Sequence, residues 1–170
     1  MNFEISELNK ILNFILVNKR INISDNSLFT RDNIIDLINI INDKKGNDFT
    51  LSLEQINYLI SIFISNSCSF DENTPDFIKN NNECIMSAIK NDINSVNYLD
   101  EIFLSTNNNK KLKNDIILLA IKKNYIINSN SPLFLKSDYE VANNSIKLSI
   151  SSADYIIFDN MTDIQKNLLV

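Results

Sequence analysis

A chain of 170 residues that holds one glycine and two prolines lacks the residues that tight turns demand. Glycine supplies positive φ without a steric penalty and proline presets φ, so a sandwich or barrel, turning about every 8–12 residues, would need many more of both. Long helices need few. The apolar residues agree, because they recur at three- and four-residue steps rather than in strict alternation. The sequence therefore predicts an all-α fold of about eight to ten helices.

The first predicted helix covers residues 3–17, with Ile5, Leu8, Ile11, Leu12, Ile15 and Leu16 on one face and Glu4, Glu7 and Lys10 elsewhere. A second starts after Thr30, an N-cap ahead of Asp32, and stacks Ile34, Leu37, Ile38 and Ile41. Lys44-Lys45-Gly46 should close it, with the lone glycine at the position of positive φ. Ser52 and Gln55 read as a capping box, stapled by Leu51 and Ile56, for a third helix through Ile64. A polar stretch from Ser65 to Asn73 then separates an N-terminal three-helix part, residues 1–66, from a second part at 73–170. The two are expected to form one continuous unit.

The second part repeats. Residues 73–99 and 130–156, aligned at an offset of 57 without a gap, share Asn73/Asn130, Pro75/Pro132, Phe77/Phe134, Lys79/Lys136, Glu83/Glu140, Ile89/Ile146, Lys90/Lys147, Ile93/Ile150, Ser95/Ser152 and Tyr98/Tyr155. Ten identities in 27 positions exceed the roughly two or three that this biased composition gives by chance. A divergent middle copy, Asp115 to Lys122, parallels Glu83 to Lys90, and suggests stacked α-hairpin repeats of three units. Thr74 and Ser131 are predicted N-caps with the following proline at N1. Glu83, Asp115 and Glu140 should begin the longer helices and Lys90, Lys122 and Lys147 should end them, matching the helix dipole. Ala88, Ala120 and Ser145 are small enough to let a neighbouring helix approach.

Leu112-Lys113-Asn114-Asp115 followed by Ala120-Ile121-Lys122-Lys123-Asn124 resembles a helical-repeat family catalogued as a domain of unknown function, and the likeness covers about residues 73–159. It implies stacked short helices and no established chemistry. That family carries Gly soon after the Asn, whereas Asn91 and Asn124 precede Asp92 and Tyr125, so the connecting turns should differ.

Composition narrows the chemistry. Histidine is absent, which removes the commonest general base and metal ligand, and a single glycine leaves no phosphate cradle. Cys68 and Cys84 stand 16 apart with neither zinc nor redox spacing, and read as free thiols in a reducing compartment. The net charge of -5 disfavours general attraction to nucleic acid or an anionic membrane. No basic leader opens the chain and no apolar run approaches a bilayer span, so the expected location is cytoplasmic. Asparagine and isoleucine dominate, as in proteins encoded by A+T-rich genomes such as those of phages, large DNA viruses and low-GC bacteria.

Three constellations stand out. Lys110, Lys111, Lys113, Lys122 and Lys123 around Asp115 form a local basic stretch that could contact phosphate or nucleic acid, or simply be a solvated face. Asp71, Glu72 and Asp76 cluster at a helix start, without the turn glycine of a calcium loop. The segment Met161 to Val170 ends in Leu168-Leu169-Val170, apolar to the last residue, which suggests docking on the body, on a partner, or as a self-association edge. No catalytic residue, metal site or cofactor is expected. The expected function is a non-catalytic protein-interaction module, in concrete form a phage- or virus-encoded regulator of a host factor; the alternative is a nucleic-acid-binding accessory protein acting through the lysines.

Overall fold

The computed structural model describes residues 3–18, 28–44, 49–106 and 109–169. Among them the chain is all-α, with α1 (Ile5–Val17), α2 (Arg31–Asn42), α3 (Leu53–Ser65), α4 (Asp76–Lys79), α5 (Asn82–Asn91), α6 (Glu101–Ser105), α7 (Lys110–Lys122), α8 (Leu133–Lys136), α9 (Tyr139–Leu148) and α10 (Asp163–Leu169), and 3-10 turns at Ile93–Tyr98 and Ile150–Tyr155. No described helix is long and apolar enough to cross a membrane.

The predicted starts of α2 and α3 hold. Thr30 and Asn33 form one reciprocal capping box, Ser52 and Gln55 another. The end of α2 differs from expectation, because Lys44 itself takes the left-handed conformation at φ 56, while Lys45 and Gly46 lie outside the described residues. The proline positions differ as well. Pro75 and Pro132 are the N-caps of α4 and α8, with ψ near 142 and 146, one residue outside the helix. Thr74 and Ser131 are turned backwards instead, their hydroxyls accepting the N–H groups of Asp71 and Asn128 and so closing the preceding turn.

Two cores lie side by side. The first joins α1, α2 and α3 through Leu8, Ile11, Ile15, Leu37, Leu59 and Ile62. The second runs from Phe63 to Met161. Helix α3 serves both, since Leu59 and Ile62 face the first core and Phe63 the second. Contacts then pass along the chain, α3 against α5, α5 against α7, α7 against α9 and α9 against α10. Ala88, Ala120 and Ser145 are fully buried in this succession.

The offset of 57 extends further back than residue identity shows. The bounds of α3, α4, α5 and the first 3-10 turn, moved by 57, are those of α7, α8, α9 and the second 3-10 turn. The links recur too. Cys68 N–H bonds Phe63 O and Ser67 N–H bonds Ile64 O, as Tyr125 N–H bonds Ala120 O and Asn124 N–H bonds Ile121 O. Ser67 and Asn124 supply the positive φ that lets each helix end this way. The turn after α5 is of another kind, because Asp92 is extended where Asn124 is left-handed.

This changes the place of the middle segment. Helix α7 matches α3 rather than α5, so Asp115 lies mid-helix instead of near the start, and Lys110, Lys111 and Lys113 occupy the first turn. Asn81 and Asp138 cap α5 and α9 with their side-chain oxygens, whereas Lys113, at the corresponding step, has no acceptor and the helix runs through.

Candidate interaction cleft

Helices α5 and α7 run in parallel. Asn82 at the start of α5 lies 3.5 Å from Asn109 before α7, and at the other end Lys123 Nζ donates to Lys90 O at 2.7 Å. With α3 against its other flank, α5 becomes the floor of an open cleft of about 610 Å³. The lining is mixed: Ile64, Met86 and Leu112 are apolar, Asn82 and Ser87 can hydrogen-bond, and Glu83, Lys90, Lys111 and Asp115 are charged. Among the described residues the ion pairs within 4 Å are both made by Lys10, so these four charges stand without a close ionic partner. An apolar floor with unpaired charges of both signs suits a polypeptide segment better than a polyanion.

The five lysines do not converge. Lys110, Lys111 and Lys113 occupy the first turn of α7, while Lys122 and Lys123 follow about 18 Å along the axis. Lys111 enters the cleft. Lys113 lies over the Phe134 ring, 5.1 Å from its centroid, and Lys123 closes the end of α5, so two of the five are engaged within the molecule. Lys110 and Lys122 are exposed.

The acidic group at the start of α4 is likewise committed. Asp71 Oδ1 accepts from Asn73 N–H at 2.9 Å and from the Thr74 hydroxyl at 2.8 Å, and Asp76 pairs with Lys10 at 3.2 Å. Among the described residues no three His, Cys, Asp or Glu side chains are grouped to hold a metal. Burial pushes the Cys84 thiol up to about 12, helped by the charge of Glu83, and raises Cys68 as well, with Asp71 adding to it. A nucleophilic thiolate needs the opposite shift.

One cluster falls outside the sequence reading. Glu7, expected off the apolar face, is buried at the joint between the two cores. Its Oε1 accepts the Asp76 N–H and its Oε2 lies 3.4 Å from Lys10 Nζ. Burial is the main reason its carboxyl lies above the usual range, partly opposed by the Asp76 N–H bond. The signal was present in the sequence, since Glu7 stands one turn before the core residue Ile11.

Compared with models of known families, with curated proteins and with solved structures, the chain matches none.

Proposed function

We propose that this chain is a non-catalytic protein-interaction module whose binding surface is the cleft over α5, and that its partner is another protein. The observation that carries this reading is the lining: a floor of Ile64, Met86 and Leu112, flanked by Glu83 and Lys111 toward the helix starts and Lys90 toward the end of α5. Apolar contact supplies affinity there, and the fixed order of charges selects the partner and its direction. A phage- or virus-encoded regulator of a host factor is the form that the A+T-type composition supports.

The test uses the full chain as bait in an extract of its native host, with Met86→Glu, Lys111→Glu and Lys122→Glu in parallel. A partner that is lost with the first two substitutions and kept with the third supports the cleft. A partner retained by all three variants removes it. A gel shift in which nucleic acid binds and dissociates steeply with salt would move the assignment to the lysines.

A further inference from the structure

The 57-residue correspondence exposes a difference beneath two otherwise matching loops. Residues 71–74 and 128–131 close the same turn. The Thr74 and Ser131 hydroxyls accept the Asp71 and Asn128 N–H groups, and the side chains of Asp71 and Asn128 accept the Asn73 and Asn130 N–H groups, each at 2.9 Å. The residue that leaves the preceding helix is not the same. In the second copy it is Tyr125, fully buried, whose hydroxyl lies 2.6 Å from Ser131 Oγ, so that its ring fills the space beneath the loop. In the first copy it is Cys68, half-buried, whose side chain ends at a sulfur. A cavity of about 330 Å³ lies there, its wall including Phe14, Phe63, Cys68, Asp71, Asn73 and Thr74. The last five correspond to Ala120, Tyr125, Asn128, Asn130 and Ser131. Phe63, larger than Ala120, does not refill the space, because its ring stacks on Phe14 at 6.2 Å and lies 5.4 Å from Phe70.

We infer that this cavity binds a free, uncharged phenol, whose ring takes the place that the Tyr125 side chain holds in the second copy. Three features select this ligand. The volume is near the lower end of the roughly 300–1,000 Å³ of small-molecule sites, enough for one ring but not for a large cofactor. The rings of Phe14 and Phe63 offer an aromatic wall against which another ring packs. The polar groups at the loop ask for a donor. Thr74 Oγ1 accepts the Asp71 N–H and gives its own hydrogen to Asp71 Oδ1 at 2.8 Å, which leaves it a lone pair, and Asp71 Oδ2 accepts nothing among the described residues. A phenol hydroxyl satisfies either oxygen, as the Tyr125 hydroxyl meets Ser131, whereas the charge of Asp71 opposes an aromatic acid.

Titration of the full chain with p-cresol, toluene and 4-methylbenzoate, followed by two-dimensional NMR up to about 10 mM, tests this over the range of a weak small ligand. p-Cresol should shift the amides of Phe63, Cys68 and Thr74 and show proton contacts with the Phe14 and Phe63 rings. Toluene, which lacks the donor, should bind about tenfold more weakly, and 4-methylbenzoate should not bind. Cys68→Tyr, with far-UV circular dichroism as the check on folding, supplies the ring from the chain itself and should abolish p-cresol binding. Should that variant not fold, the proton contacts in the wild-type chain decide the site. The inference is overturned by p-cresol that does not bind, binds elsewhere, binds no better than toluene or 4-methylbenzoate, or still binds folded Cys68→Tyr. N-acetyltyrosine amide binding more tightly than p-cresol would overturn it too, in favour of a tyrosine carried by a partner. None of these outcomes bears on partner capture by the cleft, which shares no lining residue with this cavity.

Discussion

Single residues decide how the helices end and how the loops between them are held. Ser67 and Asn124 occupy equivalent left-handed positions without being glycine. Asn tolerates that region better than Ser, because its short amide bonds locally. Ser67→Gly should therefore raise stability by up to about 1 kcal/mol and Asn124→Gly by less, the gain being limited by the extra freedom glycine gives the unfolded chain. Urea unfolding of the two variants checks the order. The loop starts at Phe70 and Ile127 are tied by different serines. Phe70 N–H bonds Ser95 Oγ at 3.0 Å, and Ile127 N–H bonds Ser145 Oγ at 2.8 Å. The first copy has Ala88 where the second has Ser145, so it draws its oxygen from the next turn instead. Ser145→Ala should leave a buried N–H without an acceptor and cost about 1–3 kcal/mol, read as a lower urea midpoint at unchanged slope. Sequence reasoning saw Ser145 only as a small residue. Its second role depends on a loop folded back on it, which no spacing rule reveals.

At the scale of elements, what could be read depended on whether matching helices also have matching neighbours. α5 and α9 share Glu83/Glu140, Ile89/Ile146 and Lys90/Lys147, and these identities reveal their correspondence. α3 and α7 have the same length at the same offset, yet share only Asn57/Asn114, Ile60/Ile117 and Ile64/Ile121. Their backbones do the same work against α5 and α9, but their other sides meet different surfaces: α3 packs on α1 and α2, α7 on α5. The two isoleucine identities lie on the side that is used alike, packed on the second core, whereas Asn57 and Asn114 are exposed. Phe63 and Ala120 show the divergence at one position, a large ring toward Phe14 and Phe70 against a fully buried methyl between helices. Ala120→Leu should consequently force α7 from its neighbours and cost about 1–3 kcal/mol, whereas Leu118→Ala, on the exposed side of the same helix, should stay within about 0.5 kcal/mol. Thermal unfolding of both variants separates these outcomes. The cleft was half legible for the same reason. Lys111 and Asp115 were visible as a charged stretch, but that Glu83 and Lys90 share their groove follows from α5 and α7 running in parallel.

For the whole molecule, the question is how two cores behave as one. Phe14 and Phe77 pack against both, and the charged group of Glu7, Lys10 and Asp76 fastens α1 to the start of α4. Glu7 makes this joint sensitive to pH. Because burial, partly offset by the Asp76 N–H and by Lys10, raises its carboxyl above 4.5, the folded chain takes up a proton at Glu7 more readily than the unfolded chain. Stability from Glu7 is then fully present below the unfolded value and is lost as pH rises through the folded one. Lys10 keeps its charge across this range, since burial works against it but the Asp76 bond and the nearby acids outweigh burial and raise its pKa. Other carboxylates contribute their own pH dependence, so the informative quantity is the difference between wild type and Glu7→Gln. Gln retains an oxygen for the Asp76 N–H while removing the titration. Measured by urea unfolding from about pH 4 to 7, around the ordinary carboxylate range, wild type should lose stability relative to the variant as pH rises. Hydrogen exchange at Leu8 and Ile11 should follow the same trend as exchange at Ile85 and Ile89 if the joint couples the two cores. Parallel stability curves for the two proteins would show that Glu7 is not titrating in a buried site. Exchange that changes in the first core alone would show that the clamp does not transmit its state to the second.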